Sequence, residues 1–282
     1  MKILPIQLDA DHLKLYSALL NNCFPDTPAN RRKFSAASLE WLYKENPDGV
    51  ALGFDAFDED QLVAHYVCIP ANIIGTNGPM RALLSLNTAT LPSYQGRGFF
   101  TQLAQTTFEA AKQLGYDCVY GVANQKSTPG FVQKLGFSLV APLQAVLGIG
   151  RLKPPITNLP LQFQRSWNSS SLTWRCANPT NPLKMSKQFG ASVFEACTEF
   201  PSVCAYAELW DKTDLKSSPS VSSLKLKLVL GLFPQGLSAS YFKVPDFLKP
   251  APLNFIFKSL NPLVVVPNRD AVHFTFLDFD AY

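Results

Sequence analysis

Thr88-Ala89-Thr90-Leu91-Pro92-Ser93-Tyr94-Gln95-Gly96-Arg97-Gly98-Phe99-Phe100 joins the end of an apolar strand to the start of a helix through two closely spaced glycines. Glycine lacks a Cβ, so the backbone there turns tightly and can approach a ligand. The first N–H groups of a helix have no intrahelical acceptor, and with the positive end of the helix dipole they can hold phosphate oxygens. Gln95 and Arg97 add side-chain donors. A P-loop is excluded, because no Gly-Lys-Ser/Thr closes the loop. A dinucleotide fingerprint fits poorly: the third glycine is absent, and Ala123-Asn124 stands where an acidic residue should end the next strand. An ordinary glycine turn before a helix stays open on these residues alone.

Around this stretch the pattern is that of a mixed sheet with helices packed on it. Helices are expected over Asp9–Asn22, Ser38–Lys44 and Phe99–Leu114, the last stopped by Gly115. Strands are expected over Val50–Phe57, Gln61–Ile69, Ala82–Leu91, Cys118–Ala123 and Phe137–Val140. A further helix has Thr128 as its N-cap and Pro129 at its first position, and ends at Gly136.

The loop resembles the signature of the GNAT superfamily of acetyl-CoA-dependent N-acyltransferases, Gln/Arg-x-x-Gly-x-Gly/Ala preceded by Pro-x-Tyr. Gln95 and the first signature glycine, Gly98, match, as do Pro92 and Tyr94, and Phe100 replaces the last Gly/Ala. Downstream, Ala123-Asn124-Gln125-Lys126-Ser127 and then Phe131-Val132-Gln133-Lys134-Leu135-Gly136-Phe137 resemble the family's Asn and its helix ending Lys-Leu-Gly-Phe. The resemblance covers roughly residues 1–145. It implies that Ala89, Thr90 and Leu91 pair with the pantetheine arm of acetyl-CoA, the cosubstrate. The loop Gln95, Gly96, Arg97, Gly98, Phe99 and Phe100 would hold the pyrophosphate, and Asn124 and Ser127 would flank the thioester.

Acyl transfer needs an unprotonated amine, a donor on the thioester carbonyl and a proton for the departing thiolate. Many members carry a Tyr acid where this chain has Val132, and no carboxylate lies on Ala82–Leu91. Candidate replacements are Asn87, Tyr120, Ser127 and His65, of which Asn124, Ser127 and Tyr120 are taken as the catalytic set. Tyr120 and His65 also fit as ordinary core residues. Trp41-Leu42-Tyr43-Lys44-Glu45-Asn46-Pro47-Asp48-Gly49 resembles an element of a bacterial GNAT subgroup whose acceptors are mostly unassigned, with amino sugars of surface polysaccharides and other small amines as candidates.

Leu39-Glu40-Trp41 followed by Asn46-Pro47 is echoed by Leu172-Thr173-Trp174 followed by Asn178-Pro179. A tandem duplication accounts for this echo and for the length of 282 residues. The expected organisation is a GNAT domain over 1–150, a Pro/Ser-rich connector over 151–171 and a degenerate GNAT-like half over 172–282. That half has strands near Ala191–Ala196, Leu224–Phe233 and Val272–Phe279 but no Gln-x-x-Gly, so its expected role is to complete the acceptor cleft or a homodimer surface. Residues 151–282 carry 14 basic against 9 acidic side chains, which suits an anionic ligand. They are too dilute for a nucleic-acid face.

At 47% hydrophobic and 16% charged residues the chain is not disordered. No apolar run approaches the roughly 20 residues that span a bilayer, and no signal peptide is read at the start, so a cytoplasmic location is expected. The six cysteines lack CxxC pairing and read as free thiols. No metal site is expected, since His12, His65 and His273 fall outside ligand spacing with them. The function expected is acetyl transfer from acetyl-CoA to a primary amine of a small molecule. Alternatives are a CoA or acyl-CoA-binding protein without turnover, or an acetyltransferase acting on protein amines.

Overall fold

The computed structural model describes residues 1–153, 161–210, 225–234, 236–237, 240–244 and 252–280. The first half holds β1 (Lys2–Pro5), α1 (Ala10–Cys23), α2 (Pro28–Lys33), α3 (Ala36–Tyr43), β2 (Leu52–Asp58), β3 (Gln61–Gly75), β4 (Gly78–Thr90), α4 (Phe99–Gln113), β5 (Cys118–Asn124) and β6 (Ser138–Pro142). There follow β7 (Gln144–Gly148), β8 (Phe163–Arg165), α5 (Ser169–Cys176), β9 (Lys184–Gln188), β10 (Ala191–Cys197), β11 (Val203–Leu209), β12 (Leu226–Leu232), β13 (Tyr241–Lys243), β14 (Leu253–Ser259) and β15 (Val272–Thr275). Pro154, Pro155 and Pro160 of the expected connector, and Leu224 at the edge of an expected strand, lie outside the described residues.

β3 runs past the expected end at Ile69, through Pro70, to Gly75. Proline cannot donate to a ladder and is tolerated at an edge. β2 pairs β3 only as far as Cys68, so Pro70 sits where that neighbour has ended. From Ile73 to Gly75 the vacated edge is taken by β8.

The boundary expected near residue 150 does not separate two sheets. β14, from the last thirty residues, lies between β5 and β6 and pairs β5 from Leu253↔Asn124 to Ser259↔Cys118. β7, directly after β6, crosses the other way and lies between β12 and β13. Each half thus lends a strand to the other. β8 and β15, inside and after the expected connector, bridge β3 to β12 and join all the strands into one sheet.

The sequence echo becomes a symmetric contact. Trp41 and Trp174 stack at 4.7 Å and 19°. Trp41 Nε1 donates to the Trp174 carbonyl at 3.1 Å, and Trp174 Nε1 donates to the Trp41 carbonyl at 3.0 Å. Asn46 and Asn178 are both buried and form the same local turn, with Oδ1 accepting from the backbone N–H two residues on. Such turns are the local chemistry of Asn before a break in the chain.

Two apolar layers flank the sheet. α4 packs Phe99, Leu103, Ala104, Phe108 and Ala111 with Leu83, Val119, Phe131 and Phe137 on one face. On the other, α1 and α3 share a core with Tyr120, Phe163, Phe255 and Phe274 and with α5, β10 and β11 of the second half. No helix among the described residues is long and apolar enough to cross a membrane.

A fragment of residues 1–150 lacks β14 and leaves the facing edges of β5 and β6 without a partner. Open strand edges template association. Such a fragment should give no soluble monomer by size exclusion, and adding residues 151–282 back in one chain should restore it. A monomeric fragment that melts cooperatively would contradict this interlock.

Candidate functional site

β4 and β5 are parallel and paired only from Ala82↔Cys118 to Ser85↔Gly121. β4 continues to Thr90 and β5 to Asn124 with no pairing between them among the described residues, so the two strands part. Their outer edges stay bonded: β3 pairs β4 as far as Ala64↔Thr90, and β14 pairs β5 as far as Asn124. The cleft between them therefore presents strand edges with free polar groups.

A bulge sits where the strands part. Val67 pairs Leu86 and His65 pairs Ala89, so Asn87 and Thr88 together oppose Tyr66. Two residues against one is the geometry of a β-bulge, which re-aims side chains. Asn87 takes φ +47°, in the left-handed region that Asn tolerates better than most residues. Thr88 Oγ1 is buried and has no hydrogen-bond partner among the described residues. An unsatisfied buried hydroxyl costs about 1–3 kcal/mol, and a ligand acceptor would relieve it.

The glycine loop leads from β4 to α4. Gly96 and Gly98 have φ +78° and +84°, and a Cβ at either would meet nothing within 4 Å. The first helical bond runs from Gln102 N–H to the Gly98 carbonyl, leaving the Phe99, Phe100 and Thr101 N–H groups without intrahelical acceptors. Gln95 Nε2 donates to the Thr90 carbonyl, and Arg97 donates to the Ser93 carbonyl while lying 4.7 Å over the Tyr94 ring. Tyr94 in turn donates to Asp58 Oδ2 at 2.7 Å, pinning the loop to the β2–β3 turn. Gln95 and Arg97 thus brace the loop through its own backbone. Phe100, the departure from the family pattern, fits because Gly130 leaves room for its ring, and it meets Phe131 edge-on at 5.2 Å.

Across the cleft, Asn124 ends β5. Its Oδ1 accepts from the Lys126 and Ser127 N–H groups, and its carbonyl accepts from Ser127 Oγ and Thr128 Oγ1. Asn124 therefore closes the turn that leads into the following helical segment, whose first i→i−4 bond runs from Phe131 N–H to the Ser127 carbonyl, so the helix starts one residue before the Thr128 cap that the sequence suggested. That segment contains a π turn over Gly130–Lys134, which carries Val132 half-buried. Asn124 thus stands at the end of β5, on the side of the cleft across from β4, with Ser127 in the turn that follows.

Tyr120 does not join them. It pairs with Leu84, inside the paired part of the strands, and is fully buried. Its hydroxyl donates to the Asp278 carbonyl at 3.2 Å, its ring packs on Phe163, Phe255 and Phe274, and burial pushes its phenol far up. Residues alternate faces along a strand, and this one faces the second half.

Asn87 and His65, named singly from the sequence, belong to a buried polar chain that the sequence reading did not connect. Asn87 Nδ2 donates to Tyr43 Oη at 3.0 Å, and Tyr43 Oη lies 3.4 Å from His65 Nε2. His65 Nδ1 is 2.7 Å from Asp55 Oδ1, and Tyr16 donates to Asp55 Oδ2 at 2.7 Å. Tyr16, Tyr43, Asp55 and His65 are all fully buried, and burial raises both phenols, Tyr16 further by the neighbouring Asp55 carboxylate. The available signal was a polar residue at an inward position in each of two apolar strands, since Asp55 pairs directly with His65.

Residues 6–140 match the family model described as an acetyltransferase (GNAT) domain. Almost the whole chain shares its fold with solved structures at low identity. A conserved protein from Enterococcus faecalis V583, described as a probable N-acyltransferase, is 9% identical, with 92% of this chain and 73% of that one covered and a TM-score of 0.56. A GCN5-related N-acetyltransferase from Anabaena variabilis is 10% identical over 92% and 73%, with a TM-score of 0.58. Eis1 from Mycobacterium abscessus is 10% identical over 93% and 74%, with a TM-score of 0.57. No curated protein sequence matches the chain. With the parted strands, the glycine-opened helix and the Asn124 turn in this order, residues 6–140 are a GNAT acetyltransferase domain, in a chain that shares the fold of these solved structures over almost its whole length.

Proposed function

We propose that this chain moves the acetyl group of acetyl-CoA to a primary amine of a small molecule, with amino sugars as the representative acceptors. One observation carries the reading. β4 and β5 part beyond Ser85 and Gly121, and the same β4 runs into a helix start whose glycines and N–H groups are open. The residues fit a CoA-like molecule: an extended arm can satisfy the free strand edges, the orphaned Thr88 hydroxyl has a donor to offer, and Gly96 and Gly98 leave room for a pyrophosphate.

When bound, acetyl-CoA supplies an electrophilic thioester carbonyl and a thiol leaving group. The chain's own residues do the rest. The Phe99, Phe100 and Thr101 N–H groups and the helix dipole hold negative charge. Ala89–Leu91 orients the arm through its backbone, which places the reacting centre at the cleft; such fixed proximity supplies much of the rate. Ser127 offers a hydroxyl to the thiolate at the cleft mouth. A second reading, CoA binding without turnover, is favoured by Val132, which occupies the family's acid position and cannot donate a proton.

Gly98→Val forces a branched side chain into φ +84°, costing about 1–2 kcal/mol of stability, and fills the approach to the helix start. Calorimetry should show CoA affinity falling by about tenfold or more, a loss of at least about 1.4 kcal/mol, with the fold retained by circular dichroism. Unchanged affinity would remove the loop from the site.

Thr88→Val deletes the orphaned hydroxyl at nearly constant shape. Stability without ligand should hold or rise by up to about 1 kcal/mol, while kcat/KM for acetyl-CoA falls. A destabilised variant with unaltered kinetics would give Thr88 a purely structural role. Turnover with glucosamine, spermidine or a lysyl peptide, followed by thiol release, separates the enzyme from the CoA-binding reading.

A further inference from the structure

We propose that the Asn87 carboxamide is the group that receives the acceptor amine, and that Tyr43, His65 and Asp55 are positioning residues that hold it in place. The inference rests on the reading of the cleft as an acetyl-transfer site. Asn87 lies two residues beyond the last β4–β5 pair, on the face shared with α1 and α3 and opposite α4. Its Nδ2 is committed to Tyr43 Oη at 3.0 Å. Its Oδ1 accepts no hydrogen bond from any described residue, and Asn87 is only half-buried. The amide is thus fixed at its donor end and open at its acceptor end.

The order of donors along the chain follows from its members. Asp55 is an acceptor that also accepts a hydrogen bond from the Tyr16 hydroxyl, so His65 Nδ1–H donates to it. His65 Nε2 is then the acceptor facing Tyr43, which donates to it and accepts from Asn87. Burial keeps the Tyr43 phenol protonated and able to donate. Every dipole in this series points the same way, and aligned hydrogen bonds strengthen one another. The negative end reaches the Asn87 Oδ1 atom, which suits an N–H donor whose nitrogen is gaining positive charge.

That nitrogen is the attacking amine. Its lone pair forms the new N–C bond, and the C–S pair leaves with sulfur. The nitrogen then sheds one proton to water, and the thiolate takes one proton from water, with the Ser127 hydroxyl available to donate a hydrogen bond to it. The Asp55–His65–Tyr43–Asn87 series ends each turnover with the protons it began with. Its task is to orient the amine and stabilise its developing charge. It also explains why a left-handed Asn is kept in a bulge: the backbone strain turns the carboxamide across to Tyr43.

The test uses the full chain and Asn87→Gly, because glycine adopts φ +47° freely and removes only the carboxamide. Amine binding to the dead-end complex with CoA is read by calorimetry for glucosamine, spermidine and a lysyl peptide, alongside steady-state kinetics with the best of them. Asn87→Gly should weaken amine binding and lower kcat/KM for the amine by about tenfold or more, as for one lost charge-assisted hydrogen bond, with CoA affinity unchanged. Tyr43→Phe keeps the ring and cuts the series, and should show a smaller loss in the same two readings. Amine affinity and amine kcat/KM equal to those of the parent in Asn87→Gly would overturn the inference while leaving the acetyl-transfer reading intact. A parent chain that binds CoA but neither binds nor acetylates any of the three amines would overturn both.

Discussion

Two strands can diverge inside a sheet only if each is held from its other side. A strand edge that loses its partner exposes backbone N–H and C=O groups, and burying these unpaired is costly. In this chain β3 holds β4 through Thr90, and β14 holds β5 through Asn124. The cleft between them is therefore a stable feature of the fold and not a frayed end. The strand that secures one wall comes from near the chain's end, so the site of the first half depends on the second.

The same logic explains the second half. β11 and β12 are also parallel and paired only over Val203–Ala205 and Leu226–Leu228. There the gap is closed. β15 pairs Gly231 and Leu232, and Arg151 and the Leu152 N–H converge on the buried Glu208, which also accepts from Tyr206. Residues 210–225 join these strands, against 91–117 between β4 and β5, and contain no glycine. The order of helix, Asn-Pro turn, three antiparallel strands and a parallel strand repeats that of the first half, and we propose that this half is GNAT-like without a CoA site of its own.

Local chemistry made much of the first half legible. The glycines, Pro92 and Tyr94 of the loop, the stop at Gly115 and the alternation of β4 are short-range signals. Trp41 and Trp174 were legible as an echo, though not as a stacked pair. The rest is long-range. Leu253–Ser259 is a brief apolar run among prolines, and nothing nearby says that its partners are β5 and β6. Alternation puts Val119 and Tyr120 on opposite faces without telling which face the second half covers. Asp55 and His65 stand out as polar residues in apolar strands, yet Tyr43 and Asn87 complete their chain only once α3 is laid across the bulge. Phe100 reads as a defect until Gly130 and Phe131 are seen to receive it.

Titration of the full chain with acetyl-CoA by calorimetry tests the central claim most directly, because one cleft is held open and its counterpart is filled. The account predicts saturation at one molecule per chain, with the signal lost in Gly98→Val. Two molecules per chain, or a single site indifferent to Gly98, would show that the β4–β5 cleft is not what the fold was built to hold open.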